Sequence, residues 1–153
     1  MAKVKPIFKP SVDELKGAHN KFLYELKMFR ITANAYATNS VPGDPAFKTA
    51  VLEAALIHAR NLYDFFTGNE SWEDNIIAGH FVKDPNGALW KSTQLAFLAL
   101  RKGEINKALS HLTYTRVNSK PTWNIEPICQ DIENAYSEFL ALLSATERID
   151  WQA

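Results

Sequence analysis

Apolar residues recur at steps of three and four along most of this chain. Leu15, Ala18, Phe22, Leu26, Phe29, Ala33 and Tyr36 share one face of a helix of about seven turns. Ser11 and Glu14 form a capping-box pair at its start, and the stretch from Asn39 to Gly43 ends it. Asp44-Pro45 opens a second helix, with aspartate as N-cap and proline at the first helical position. Its stripe runs through Leu52, Ala55, Leu56, Ala59, Leu62, Tyr63 and Phe66. Val51, Ala54, Ile57 and Phe65 widen the apolar surface, which marks the helix as central. Gly68-Asn69 supplies its stop.

Beyond that stop the pattern predicts a short helix over 71–82, capped by Ser71 and carrying Trp72, Ile76, Ile77 and Phe81. Asp84-Pro85-Asn86-Gly87 is a turn. Residues 88–101 read as an apolar helix, with a break or kink at Gly103. Ile105, Ala108, Leu109 and Leu112 resume the spacing, and Asn118 to Pro121 ends it. A last helix starts near Thr122, holds Pro127 in its early turns, and buries Ile125, Ile128, Ile132, Tyr136, Phe139 and Leu143. No segment alternates with period two, and no repeat or low-complexity tract interrupts the chain. The expected fold is all-α, an antiparallel up-and-down bundle of four or five helices. Residues 1–10 form an extended lead-in, 11–147 the single bundle domain and 148–153 a tail whose Trp151 docks or frays.

Composition agrees with one ordinary domain: 153 residues, 46% hydrophobic and 22% charged, enough for a packed core without staples. Seventeen basic and seventeen acidic residues cancel, which argues against strong non-specific binding of nucleic acid. The charges alternate in blocks, however. Residues 1–40 hold seven basic and three acidic groups, residues 41–90 three and seven, residues 91–120 six and one, and residues 121–153 one and six. Such alternation lets neighbouring helices attract, and it leaves open a shared basic surface for a polyanion. Cys129 is the only cysteine, which excludes an intrachain disulfide. It sits in an apolar helical pattern and reads as a small buried hydrophobe. No signal-peptide pattern and no run long enough to span a membrane occurs, so the expected location is the cytoplasm.

Candidate chemistry lies on two polar strips. The central second helix carries His58, Arg60, Asn61 and Asp64 within two turns, with Arg60 and Asp64 spaced to pair. Polar groups on so apolar a helix either satisfy one another across helices or line a cavity. His58, Asn61 and Asn106 are the candidate binding residues. After Gly103, Lys107 and His111 share an edge one turn apart, and Arg116 follows. A histidine can shuttle protons near neutral pH while a lysine or arginine holds phosphate. His111, Lys107 and Arg116 are therefore the catalytic candidates if the protein is an enzyme. His19, His58, His80 and His111 fall on four predicted helices, but no Glu-x-x-His or His-x-x-x-His pair marks a metal site, and no metal or cofactor is expected. Phosphate-loop, nucleophile-elbow and paired-cysteine motifs are missing. The four tryptophans are expected to fill gaps between helices.

Asn106-Lys107-x-x-x-His111 resembles the motif helix of HEPN-type domains. These are helical bundles whose members include metal-independent ribonucleases, toxin partners and nucleotide-binding proteins, often dimeric. The resemblance implies His111 in the histidine role and Asn106 with Lys107 at the polar positions. Glu104, Ile105 and Asn106 stand where the motif carries its arginine. The expected function is a binding or regulatory module for a protein or a small anionic ligand, with a homodimer as the expected assembly. The alternatives are a HEPN-like ribonuclease or nucleotide-processing enzyme acting on RNA, and a bundle whose polar residues are all structural.

Overall fold

The computed structural model describes residues 9–68, 75–110 and 122–151. Among them lie five α-helices: α1 (Val12–Ala37), α2 (Pro45–Thr67), α3 (Ala96–Ser110), α4 (Glu126–Leu142) and α5 (Ala145–Asp150). No strand occurs among the described residues, and the fold is an all-α antiparallel bundle. Cross-helix pairs fix the directions. Phe22 meets Phe65 while Lys48 sits over Tyr36, so α2 runs back along α1. Asp64 meets Lys102 and Arg60 meets Asn106, so α3 reverses again. Ser92 meets Glu138 while Asp131 meets Leu98, so α4 opposes α3. The predicted segment ends in 111–121, and the start of the predicted 71–82 helix with Ser71 and Trp72, lie outside the described residues.

Capping accounts for the helix starts. Ser11 Oγ accepts from Glu14 N at 3.3 Å while Ser11 N donates to Glu14 Oε2 at 2.7 Å, the reciprocal box expected from the sequence. That bonding holds the Glu14 carboxyl below its ordinary range. Asp44 Oδ1 accepts from Ala46 N at 2.8 Å, with Pro45 as the first helical residue. Ser144 and Glu147 repeat the box at α5 and lower the Glu147 carboxyl in the same way. The start of α3 is capped from elsewhere: Asp131 Oδ2 on α4 accepts from Leu98 N at 2.8 Å.

Two expectations need correction. Residues 75–77 are not helical: Ile77 is extended (φ −129°, ψ 148°), and only a 3-10 turn, Ala78–His80, follows. Gly68 explains why the chain turns here. A Cβ at Gly68 would stand 2.3 Å from Ile77 Cγ2 and 2.5 Å from Asp64 O, so Ile77 is packed against bare backbone. Gly68 itself has an ordinary φ of −58°, so close approach, not a left-handed cap, is what demands glycine. Residues 88–95 are also not helical. Lys83 and Leu89 form an antiparallel bridge around the Asp84–Gly87 turn, in which Asp84 Oδ1 accepts from Asn86 N and Ala88 N, and Gly87 takes φ 83°. Ser92 N then donates to Phe66 O, and Ser92 Oγ both accepts from Gln94 N and donates to Glu138. These tertiary bonds outcompete helix formation until Ala96. The helix then passes through Gly103 without a break.

The core is strongly aromatic. Phe29, Phe66 and Phe139 are fully buried, with Leu26, Leu56, Leu62, Ile128 and Ile132 around them. Trp151 docks rather than frays. Its ring lies 4.9 Å from Phe139, 4.8 Å from Phe81 and 5.3 Å from Phe22. Tyr136 Oη donates to the Trp151 carbonyl, and His19 pairs with Asp150 O at 2.8 Å. Among the described residues no helix is long and apolar enough to cross a membrane.

Candidate functional site

Glu25 sits one position to the side of the α1 core stripe, so its carboxylate leaves the core and faces α2. There His58 Nδ1 lies 2.7 Å from Glu25 Oε2, and Asn61 Nδ2 donates to the same oxygen at 3.1 Å. The side chains of His58 and Glu25 keep only 13% and 26% of their surface, so this charge-assisted contact is partly shielded from water. A carboxylate only accepts, so His58 Nδ1 carries the proton. The sequence pattern located His58 and Asn61 but not Glu25. The signal was available: an acidic residue beside the α1 stripe faces His58 once α1 and α2 form a hairpin.

The other polar residues of α2 turn to α3. Lys102 Nζ donates to Asp64 Oδ1 at 2.6 Å while standing 4.6 Å over the Tyr63 ring. Arg60 Nη1 donates to Asn106 Oδ1 at 3.3 Å. Asp64 therefore takes its partner from the neighbouring helix, one the spacing argument along α2 did not reveal. Lys107 is exposed on α3 and makes no ion pair among the described residues. His111 and Arg116 lie outside the described residues. Of the candidates, His58 and Asn61 converge on Glu25, and Asn106 reaches α2 through Arg60.

Between these contacts an open cleft of about 420 Å³ lies at the seam of α1 and α2. Phe22, Leu62 and Phe65 supply its apolar lining, and Ile76 closes one side. Lys21, Glu25, Arg60, Asn61, Asp64 and Asn75 supply its polar groups. Both carboxylates are engaged, Glu25 by His58 and Asn61 and Asp64 by Lys102. Lys21 is exposed at the rim and pairs with no carboxylate among the described residues. Neither Lys21 nor Glu25 stood out in the sequence, since surface lysines and glutamates are common on helices. Among the described residues no group of three histidine, cysteine or acidic side chains is placed to hold a metal.

A second cavity of about 580 Å³ lies between the C-terminal half of α1 and the N-terminal half of α4. Arg30 and Glu133 form a two-pronged ion pair on its wall, Nε to Oε1 at 2.7 Å and Nη2 to Oε2 at 2.8 Å. That bonding raises the Arg30 pKa further. Cys129 faces this cavity half-buried; burial, then the charges of Glu133 and Glu126, push its thiol up.

The chain matches no known protein family, no characterised protein and no solved structure.

Proposed function

We propose that the protein is a cytosolic binding module whose α1–α2 cleft takes a small anionic ligand. The observation that carries this reading is the charge balance of the cleft. Its two carboxylates already have protein partners, whereas Lys21 stands at the rim without one among the described residues. Arg60, anchored by Asn106, adds a planar donor group beside it. Phe22 and Phe65 below favour a ligand with a flat apolar body next to its carboxylate or phosphate. Ligand binding to the folded state raises stability by mass action, about 2.7 kcal/mol at a hundred times Kd. Thermal unfolding with benzoate and with adenosine monophosphate tests this. The wild type should gain Tm with at least one of them, and Lys21→Glu should lose that gain while keeping its own ligand-free Tm. No gain up to millimolar ligand would overturn the reading.

The Arg60–Asn106 contact favours a second reading, a metal-independent ribonuclease of HEPN-like design. In the resemblance, Asn106 stands where an arginine is expected, and here a guanidinium from α2 touches that very residue. On this reading His111 moves the proton while Arg60, Lys107 and Arg116 steady phosphate. RNA cleavage in excess chelator, lost in both His111→Ala and Arg60→Ala, is the expected result. A clean wild-type preparation that cleaves no RNA would remove it.

A further inference from the structure

The cavity between α1 and α4 is left open by small side chains. Ala33 and Ala37 on α1 and Cys129 on α4 stand where larger groups would fill the space between the helices. Phe29 and Ile125 supply the rest of its apolar wall, and the lined stretch of α1 from Phe29 to Ala37 is about 12 Å long. The charges on the wall are unequal. Glu126 and Glu133 come from α4, whereas α1 contributes Arg30, which is engaged both by Glu133 and by the Tyr136 ring 5.3 Å away. Glu126 is exposed and makes no ion pair among the described residues. Helix α1 also ends here with no basic residue in its last turn, so the partial negative charge of its last carbonyls adds to that of Glu126. Lys48 reaches this end of α1 from α2 but is held by Asn39 and over the Tyr36 ring.

We propose that this cavity takes a primary amine with a flat apolar body, the ammonium beside Glu126 and the body along Phe29, Ala33 and Ala37. The Cys129 thiol senses the sign of the field inside: after burial, the charges of Glu133 and Glu126 push it up. The same field favours an ammonium group. It disfavours a carboxylate or phosphate, for which the wall offers a guanidinium already forked onto Glu133. The apolar wall supplies most of the affinity, because solvent screens an ion pair at exposed Glu126. The charge sets the preference between ligands of one shape. This cavity shares no lining residue with the α1–α2 cleft and takes the opposite charge, so its ligand is independent of what that cleft binds.

Protection of Cys129 from iodoacetamide tests the assignment, because it is the only cysteine and its alkylation reports on this cavity alone. Phenethylamine, phenylethanol and phenylacetate offer one body with three head groups. Each is added to the full chain at neutral pH, with free cysteine in the same solutions as the control for reagent consumption. Millimolar phenethylamine should slow alkylation by about threefold or more, as the unoccupied fraction falls. Phenylethanol should need a several-fold higher concentration, and phenylacetate should not protect. Glu126→Gln keeps the side-chain shape at an exposed position and should leave the far-UV circular dichroism unchanged. In it, amine and alcohol should protect equally, read as the ratio of rates with and without ligand, which cancels the variant's own change in thiol reactivity. Lys21→Glu, in the other cleft, should leave the protection as it is. No protection by tens of millimolar amine, equal protection by amine and alcohol in the wild type, or an undiminished preference for the amine in Glu126→Gln would each overturn the proposal.

Discussion

His58 on α2 and Glu25 on α1 are joined at 2.7 Å through one carboxylate oxygen, which Asn61 also reaches. Two donors thus depend on a single acceptor. Glu25→Ala should cost about 1–3 kcal/mol, because it strands two partly buried donors. A double-mutant cycle with His58→Ala, read by urea unfolding, should give a coupling of roughly 1 kcal/mol. Additive single mutants would show that the contact contributes nothing.

The glycines divide by surroundings. At Gly68 a new methyl meets Ile77 and the Asp64 carbonyl, so Gly68→Ala should destabilise by about 1–3 kcal/mol. At Gly103, inside α3, a methyl meets nothing within 4 Å. Gly103→Ala should therefore stabilise by about 0.5–1 kcal/mol through helix propensity. Thermal melts of the two variants should move in opposite directions.

How much could be read in advance follows from this contrast. The long helices were legible because their stripes and caps are local: Ser11 with Glu14, and Asp44 with Pro45, mark their own starts. The segment between α2 and α3 was not, because distant partners decide it. Ile77 is held against Gly68, and Ser92 is bound by Phe66 and Glu138. Likewise the polar side chains of α2 were visible as oddities, but their partners Glu25 and Lys102 belong to other helices and carry no local signature.

Arg30 and Glu133 tie α1 to α4 by two parallel bonds. Both side chains keep about a third or more of their surface, 34% and 40%, so solvent screens the charge. Arg30→Lys loses the fork and should cost about 0.2–1 kcal/mol. The difference should shrink in molar salt, as measured by chemical denaturation of both proteins.

Glu14 and Glu147 titrate below their ordinary range because each is bonded to a capping serine. A carboxyl with a depressed folded pKa stabilises the fold above its unfolded pKa, and that contribution disappears as pH falls through the folded value. The stability lost between neutral and acid pH should thus be smaller in Ser11→Ala and Ser144→Ala than in the wild type. Equal pH slopes in all three proteins would contradict this.

The Cys129 thiol is pushed up by burial and by neighbouring acids. At pH 8 it should react with a neutral alkylating reagent more slowly than free cysteine does, and its rate should still be climbing where free cysteine has levelled off. Mass spectrometry of timed samples measures both. A rate equal to that of free cysteine would show the thiolate is not disfavoured.

Trp151 has a consequence for how the chain is made. Its neighbour Asp150 bonds His19, 131 residues earlier, and its ring completes the aromatic packing begun by Phe22 and Phe65. During translation at about 5–20 residues per second, those early rings wait on the order of ten seconds for the one that covers them. Until Trp151 emerges, the aromatic rings of the nascent hairpin lack the side chain that covers them, and exposed apolar surface of that kind favours aggregation.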